Sequence, residues 1–167
     1  MGIDAITAIP FFLMGLCIGS FVNVLIWRLP RGESPVFPRS HCTNCSHQLS
    51  WRENIPLVSW SLQKGACLKC HSKISIRYPL IEFICGVLYV LCIFANANNL
   101  EEGTLNLGLL AGFILVPILL SLSVIDMQKL YLPEILCRVG LFSGAFIFAL
   151  NAITSDDAAQ WAQLLNN

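Results

Sequence analysis

The chain has 167 residues, 56% of them hydrophobic and only 12% charged, with ten basic and ten acidic side chains and a formal net charge of zero. A mean hydropathy of +0.69, set against the roughly 25% charged residues of an average soluble domain, excludes an ordinary water-soluble globule and points to a membrane protein. The zero net charge by itself implies nothing about nucleic-acid or acidic partners, and the information lies in how charge is distributed along the chain; no nucleic-acid partner is expected.

Four apolar stretches are long enough to consider as spans: Ala5 to Trp27, Leu80 to Ala95, Leu105 to Ile125 and Ile135 to Ile153. The second is the shortest, against the ~20 residues that usually cross the hydrocarbon. No basic residue precedes the first and no small-x-small cleavage pattern follows it, so it is expected to be a retained anchor rather than a removable signal peptide. Within it, Gly15-x3-Gly19 followed by Ser20 would let a neighbouring helix come close, a packing feature rather than a catalytic one.

Of the ten Lys and Arg, eight (Arg28, Arg31, Arg39, Arg52, Lys64, Lys69, Lys73 and Arg77) lie between the first and second spans. The positive-inside bias places that region in the cytoplasm and the N-terminus outside. Threading onward puts "NANNLEEG", with Glu101 and Glu102 and no base, outside, "DMQKLYLPE" inside, and the tail "SDDAAQWAQLLNN" outside. The chain thus divides into a first transmembrane helix (1–27), a cytoplasmic four-cysteine loop (28–79), and a transmembrane bundle with a short tail (80–167).

From Pro30 to Pro79 hydropathy falls and turn residues accumulate; "RLPRGESPVFPRSHCTNC" predicts loop rather than helix. A region of this size rarely holds together by apolar burial alone. Its cysteines supply the alternative: Cys42-x2-Cys45, a gap of 21 residues, then Cys67-x2-Cys70, two knuckles whose four thiolates can close tetrahedrally on one Zn2+. Paired disulfides fit the count, but a reducing cytoplasm disfavours them. "CLKCH", with His71 as axial ligand, also matches c-type haem attachment, which implies the other side of the membrane and leaves Cys42 and Cys45 unexplained. His41, His47 and His71 flank the knuckles and are read as solvated loop residues that could replace a thiolate. Cys17, Cys85, Cys92 and Cys137 lack knuckle spacing and are read as packing residues.

The third span ends on Asp126. A carboxylate in hydrocarbon costs about 2.5 to 3.5 kcal/mol on insertion scales, whereas at the water boundary it costs little. Asp126 is therefore placed at the cytoplasmic mouth of that span, either as a plain boundary residue or as a functional acid.

In chain order, "GSFVNVLIWRLP" (Gly19 to Pro30), the cysteine quartet with "ENIPLVSW" (Glu53 to Trp60) and "KGACLKC" between its arms, "IRYPLIE" (Ile76 to Glu82) and "IDMQKLYLPE" resemble the type IV prepilin leader peptidase family. These are bifunctional membrane enzymes that cut the basic leader from pilin-like precursors and methylate the new N-terminus. The resemblance covers about the first 135 residues. It implies an all-α polytopic membrane protein of the bacterial inner membrane, with about four transmembrane helices in this chain and a zinc-ribbon-like cytoplasmic insert. Its substrates would be type IV prepilins or type II secretion pseudopilin precursors, and membrane lipid its surroundings.

The resemblance further implies that Asp126 is the first of two catalytic aspartates, since one carboxylate cannot both draw a proton from water and donate one to the carbonyl oxygen. The second belongs to a Gly-x-Gly-Asp motif, and no Gly-Asp dipeptide occurs in the 167 residues. Asp156 and Asp157 follow a single further span and are expected on the opposite side, roughly 30 Å away. The chain is thus expected to be a truncated, proteolytically incomplete form, with a non-enzymatic zinc adaptor or half of a split enzyme as the alternative. Glu134 stands where the family usually has aspartate. For methyl transfer the resemblance points to the cysteine region, with Gly65 and Glu82, and brings S-adenosylmethionine as cofactor by resemblance alone; Glu82 is otherwise read as a carboxylate at the N-terminus of the second span.

Overall fold

The computed structural model describes residues 5–96 and 107–154; Glu101, Glu102, Asp156 and Asp157 lie outside them. The regular structure is helical: α1 (Ala5–Arg28), a 3-10 turn (Leu29–Arg31), a second 3-10 turn (Trp51–Asn54), α2 (Val58–Leu62), α3 (Arg77–Ala95), α4 (Leu107–Lys129) and α5 (Glu134–Thr154). Among the described residues there is no β-strand, only two isolated bridges, His41 with Gln48 and Ala66 with Lys73, both in the cysteine insert.

Helices α1, α3, α4 and α5 are each long and apolar enough to cross a membrane. Their 19 to 24 residues give lengths of about 28 to 36 Å at 1.5 Å per residue, matching a ~30 Å hydrocarbon core. Helix α3 begins at Arg77, ahead of the apolar run at Leu80, and α4 continues past Asp126 to Lys129. Hydropathy stops at the first charged side chain, whereas the hydrogen-bonded helix continues into the interface, where long basic side chains reach water.

Glycine brings α1 against α3. A Cβ on Gly15 would lie 2.7 Å from the Gly86 Cα, and one on Gly19 would lie 2.7 Å from the Glu82 Cα. No other residue allows that approach, so the Gly15/Gly19 pair packs helices as its spacing predicts. Phe12 fills the surface over Gly86 and meets Phe83 edge-on at 6.0 Å.

Proline links α3 to α4. Pro117 lacks the amide that would bond the carbonyl four residues earlier, on Phe113; that carbonyl instead accepts the Tyr89 hydroxyl at 2.8 Å. The two rings stack with centroids 4.8 Å apart, so a helix-breaking residue is tolerated because a neighbouring helix satisfies the freed group.

Near the insert the four long helices share a core of Val22, Ile26, Ile81, Ile118, Ile125 and Leu136. There the Arg77 guanidinium at the start of α3 donates to Gln128 Oε1 at the end of α4, at 2.9 Å. The end of α1, the start of α3 and the end of α4 therefore lie at one end of the bundle. Leu130, at φ +48°, stops α4 with its amide on the Asp126 carbonyl at 2.8 Å, and a short turn through buried Pro133 leads into α5.

Two side chains of the bundle reach into the insert. Buried Arg28 donates to the Ser34 and Pro38 carbonyls at 3.0 and 2.7 Å. Glu82, buried on α3, accepts the Leu57 amide at 2.8 Å. Within the insert Trp60 donates through Nε1 to the Ile74 carbonyl at 3.1 Å, and its ring covers Gly65, whose φ of +66° and lack of room for a Cβ, 2.9 Å from the ring, both require glycine.

Candidate functional site

The sulfurs of Cys42, Cys45, Cys67 and Cys70 all lie within 4.8 Å of one another, and all eight cysteines are free thiols. Cys42 and Cys70 are 3.8 Å apart and Cys45 and Cys67 4.0 Å. Zinc–sulfur bonds of ~2.3 Å in a tetrahedron require sulfurs about 3.8 Å apart, so the four fit a Zn2+ ion, with no position open for water or substrate. Such a site is structural.

Local backbone geometry explains why the sequence folds this way twice. In one knuckle the Cys42 amide donates to the His47 carbonyl and the Ser46 amide returns to the Cys42 carbonyl, at 2.8 and 2.9 Å; in the other the Cys67 amide donates to Ser72 and His71 to Cys67, each at 2.9 Å. Ser46 and His71, each following the second cysteine of its pair, both take φ +57°. The repeat makes His71 a turn residue, exposed and outside the thiol quartet. His47 is not simply solvated, as expected from its loop setting: its Nε2 lies 3.2 Å from Glu53 Oε1. Glu53 also accepts the Ser50 amide at 2.9 Å, and that bond, with Ser50's hydroxyl and then His47, holds its carboxyl below the ordinary value.

The thiols are electrostatically unequal. The Ser72 hydroxyl, 3.1 Å away, together with the Ser72 amide and Asn44, lowers Cys70 to about 5. Cys45 is favoured as thiolate by the His47 amide, yet removal from water and the three other cysteines push it up to about 11. Four thiolates at this spacing repel one another unless a cation lies among them.

Asp126 lies in the last turn of α4, exposed, at the same end of the bundle as the cysteine insert. Its carboxylate has no hydrogen bond or ion pair among the described residues. Glu82 is not at the N-terminus of its helix; it sits in the second turn of α3, which has no acid in its first turn, and ties the insert to the bundle. Glu134 does occupy the first turn of α5, where it pairs with Arg138 at 3.5 Å.

Between the insert and the adjoining ends of α1 and α3 lies a cavity of about 390 Å³, lined among others by Asn23, Arg28, Trp60, Arg77 and Glu82. This is within the range of small-molecule sites. Gly65 does not line it but supports the Trp60 ring that does, and Asp126 is not part of it. The walls are more apolar than polar, with Asn23, Arg77 and Glu82 among the polar residues that line them.

Sequence reasoning overlooked Asn23 and undervalued Arg28. Arg28 was expected simply to follow the positive-inside rule, but it is buried and bonded to two carbonyls. Asn23 is only 3% exposed, and its Nδ2 donates to the Tyr78 carbonyl at 3.0 Å. A carboxamide in the middle of "GSFVNVLIW" was the signal that could have found it, because polar groups inside a span need partners.

The bacterial peptidase A24 N-terminal domain matches residues 13–96. A prepilin leader peptidase/N-methyltransferase from Myxococcus xanthus is 38% identical over 156 residues, 93% of this chain and 44% of that protein. The prepilin leader peptidase/N-methyltransferase of Klebsiella pneumoniae is 40% identical over 84% of this chain and 61% of its own length. A type 4 prepilin-like proteins leader peptide-processing enzyme of Escherichia coli is 38% identical over 78% and 52%. The chain spans about half the length of these relatives. No solved structure gives a significant match. With the domain covering half of its residues and these relatives extending the likeness through the Asp126 segment, the chain belongs to the bacterial peptidase A24 family.

Proposed function

We propose that this chain carries the first catalytic aspartate and the methyl-transfer region of a prepilin leader peptidase/N-methyltransferase. Its substrates are type IV prepilins or type II secretion pseudopilin precursors, which present a short basic leader followed by a hydrophobic helix. It sits in the bacterial inner membrane as a multi-pass protein, with the N-terminus periplasmic and residues 28–79 cytoplasmic between the first helix (1–27) and the remaining bundle (80–167). Zn2+ bound by Cys42, Cys45, Cys67 and Cys70 holds the insert, and S-adenosylmethionine is the methyl donor, with Gly65 and Glu82 in the methyl-transfer region.

The observation that carries this reading is the placement of exposed Asp126 at the bundle end that bears the insert, with Arg77 and Gln128 joining α3 to α4 beside it. A leader cut at the inner membrane face would meet the acid there, and the trimmed terminus would be released next to the cavity. Asp126 acts as one member of a dyad in which an ionised carboxylate activates water and a protonated one donates to the scissile carbonyl. The second carboxylate belongs to a Gly-x-Gly-Asp segment, and these 167 residues contain no Gly-Asp dipeptide.

Co-expression with a polypeptide carrying that segment, followed by incubation with a prepilin peptide, tests the reading. Leader cleavage is expected from the pair, with a loss of at least a thousandfold in Asp126→Asn. Cleavage that survives the substitution would overturn the assignment. A reporter fused after Trp161 and found on the same side as the insert would overturn the orientation.

A further inference from the structure

Helix α2 is built inside out. Its inward side is polar: Ser59 is buried and lines the cavity together with Gln63, which donates through Nε2 to the Glu53 carbonyl at 3.4 Å. Its outward side is apolar: Val58 and Leu62, one turn apart, are 50% and 78% exposed, and Ile55 and Trp51 just ahead of the helix are exposed as well. A helix lying against a protein core in water shows the reverse pattern. An outward apolar face of this kind marks a surface that something other than water covers.

Depth along the bundle identifies the cover. Helices α1 and α3 run side by side, with Gly19 against the Glu82 Cα and Asn23 donating to the Tyr78 carbonyl at 3.0 Å. Asn23 precedes Arg28, the end of α1, by five residues, about 7.5 Å along the axis. Glu82 follows Arg77, the start of α3, by the same distance of about 7.5 Å. The Leu57 amide donates to the Glu82 carboxylate at 2.8 Å. The residue that opens α2 is therefore level with the first turns of α3 and no farther out than the boundary arginines. Exposed Leu80 and Phe83 of α3 lie at this depth, where a spanning helix meets lipid.

Charge agrees with depth. Between Trp51 and Cys70 the exposed charged side chains are Arg52, Lys64 and Lys69. The single acid of that stretch, Glu53, is turned inward onto the Ser50 amide and His47. The Arg52 guanidinium lies 5.1 Å from the Trp51 ring, an aromatic of the kind enriched at the membrane–water interface. Apolar side chains flanked only by cations suit a segment lying in the membrane plane, its apolar face in the acyl boundary and its cations among lipid phosphates.

We infer that residues 51–62 form an in-plane membrane element: Ile55, Val58 and Leu62 enter the acyl boundary of the leaflet at the insert's end of the bundle, and Arg52, Lys64 and Lys69 hold anionic phospholipid headgroups. The insert then rests on the bilayer along α2 instead of standing free of it, and α2 is the wall between the cavity and lipid. The inference needs the four long helices to span a membrane; it needs neither the aspartate dyad nor methyl transfer.

The test is photocrosslinking of the full chain, with zinc present, in nanodiscs of phosphatidylcholine and phosphatidylglycerol in equal parts. Photoreactive benzoylphenylalanine replaces Leu62 in one sample and, in another, Leu119, an exposed residue midway along α4; adducts are identified by mass. Lipid adducts at position 62 should reach a yield within about threefold of those at 119, and phosphatidylglycerol should be enriched at 62 over 119 by roughly threefold. With Arg52→Gln, Lys64→Gln and Lys69→Gln combined, lipid adducts should persist and the enrichment should vanish. All these positions are exposed, so the variants change the surface without disturbing the packing beneath it. Absence of lipid adducts at 62, or adducts to polypeptide in their place, overturns the inference. Lipid adducts without phosphatidylglycerol enrichment, or an enrichment that survives loss of the three cations, overturns the assignment of anionic lipid.

Discussion

The insert and the bundle are held together by opposite means. Between Pro30 and Ile76 the only buried apolar residue is Cys67, itself part of the metal-type quartet, whereas the long helices bury Val22, Ile81, Cys85, Ile93 and Ile125 almost completely. The bundle draws on close backbone approach at Gly15, Gly19 and Gly86 and on interlocked rings; the insert instead gathers four thiols at a spacing that could hold a metal ion. A membrane helix pair gains nothing from the hydrophobic effect within lipid and must gain from contact, while a short polar insert has too little apolar surface to fold by burial. Each region uses the only source of stability its solvent leaves it.

The contrast is broken most severely by removing the metal. Zinc binding in small four-ligand sites is worth about 10 to 16 kcal/mol of apparent folding free energy, so chelation or Cys67→Ser should unfold the insert and leave the helices intact. Limited proteolysis with mass mapping is expected to cut between Arg31 and Lys73 and to spare α3 and α4. An insert that stays protected with zinc depleted would show that it folds by burial after all. The converse variant, Gly19→Leu, forces side-chain atoms into the Glu82 backbone, 2.7 Å from the new Cβ. Overpacking of this kind costs about 1 to 3 kcal/mol or more, and thermal unfolding in detergent should fall while the zinc content stays at one per chain.

Arg28 joins the two regions, and its removal should cost less than either. Arg28→Met leaves the Ser34 and Pro38 carbonyls without their charged donor, for about 1.5 to 3 kcal/mol at most, the usual range for a bond to a charged group. Faster amide exchange confined to residues 33–40, with the knuckles still protected, is the expected result. Spread of that exchange to Cys67 would mean the junction, not the metal, organises the insert.

Much of this was legible in the residues, for reasons that differ by region. Spans are readable because lipid imposes a length and a composition, and the knuckles because tetrahedral ligation fixes the C-x2-C spacing. The helix ends were less so: α3 begins at Arg77 and α4 runs to Lys129, since backbone hydrogen bonding ignores the charge at which hydropathy stops. What sequence could not give was the pairing of residues far apart. Leu57 with Glu82, Tyr89 with Phe113 and Asn23 with Tyr78 are long-range bonds, and no local period encodes them. Glu82 was accordingly expected as a helix-terminal charge, when its position one turn further in makes it the inner wall of a cavity.

The Tyr89 bond gives the gentlest perturbation. Its hydroxyl serves the Phe113 carbonyl that Pro117 leaves free, deep in the bundle and far from the insert. Hydrogen bonds between membrane helices average about 0.6 kcal/mol and reach ~1.7, because the separated helices also find partners. Tyr89→Phe retains the ring stack on Phe113 and removes only the oxygen, so a loss within that range is expected in reversible detergent unfolding. Combining it with Pro117→Ala adds a sharper reading: the restored amide can bond Phe113 within α4, and the penalty of losing the hydroxyl should shrink toward zero. A penalty unchanged by the alanine would mean that the tyrosine stabilises the bundle by something other than the carbonyl that proline sets free.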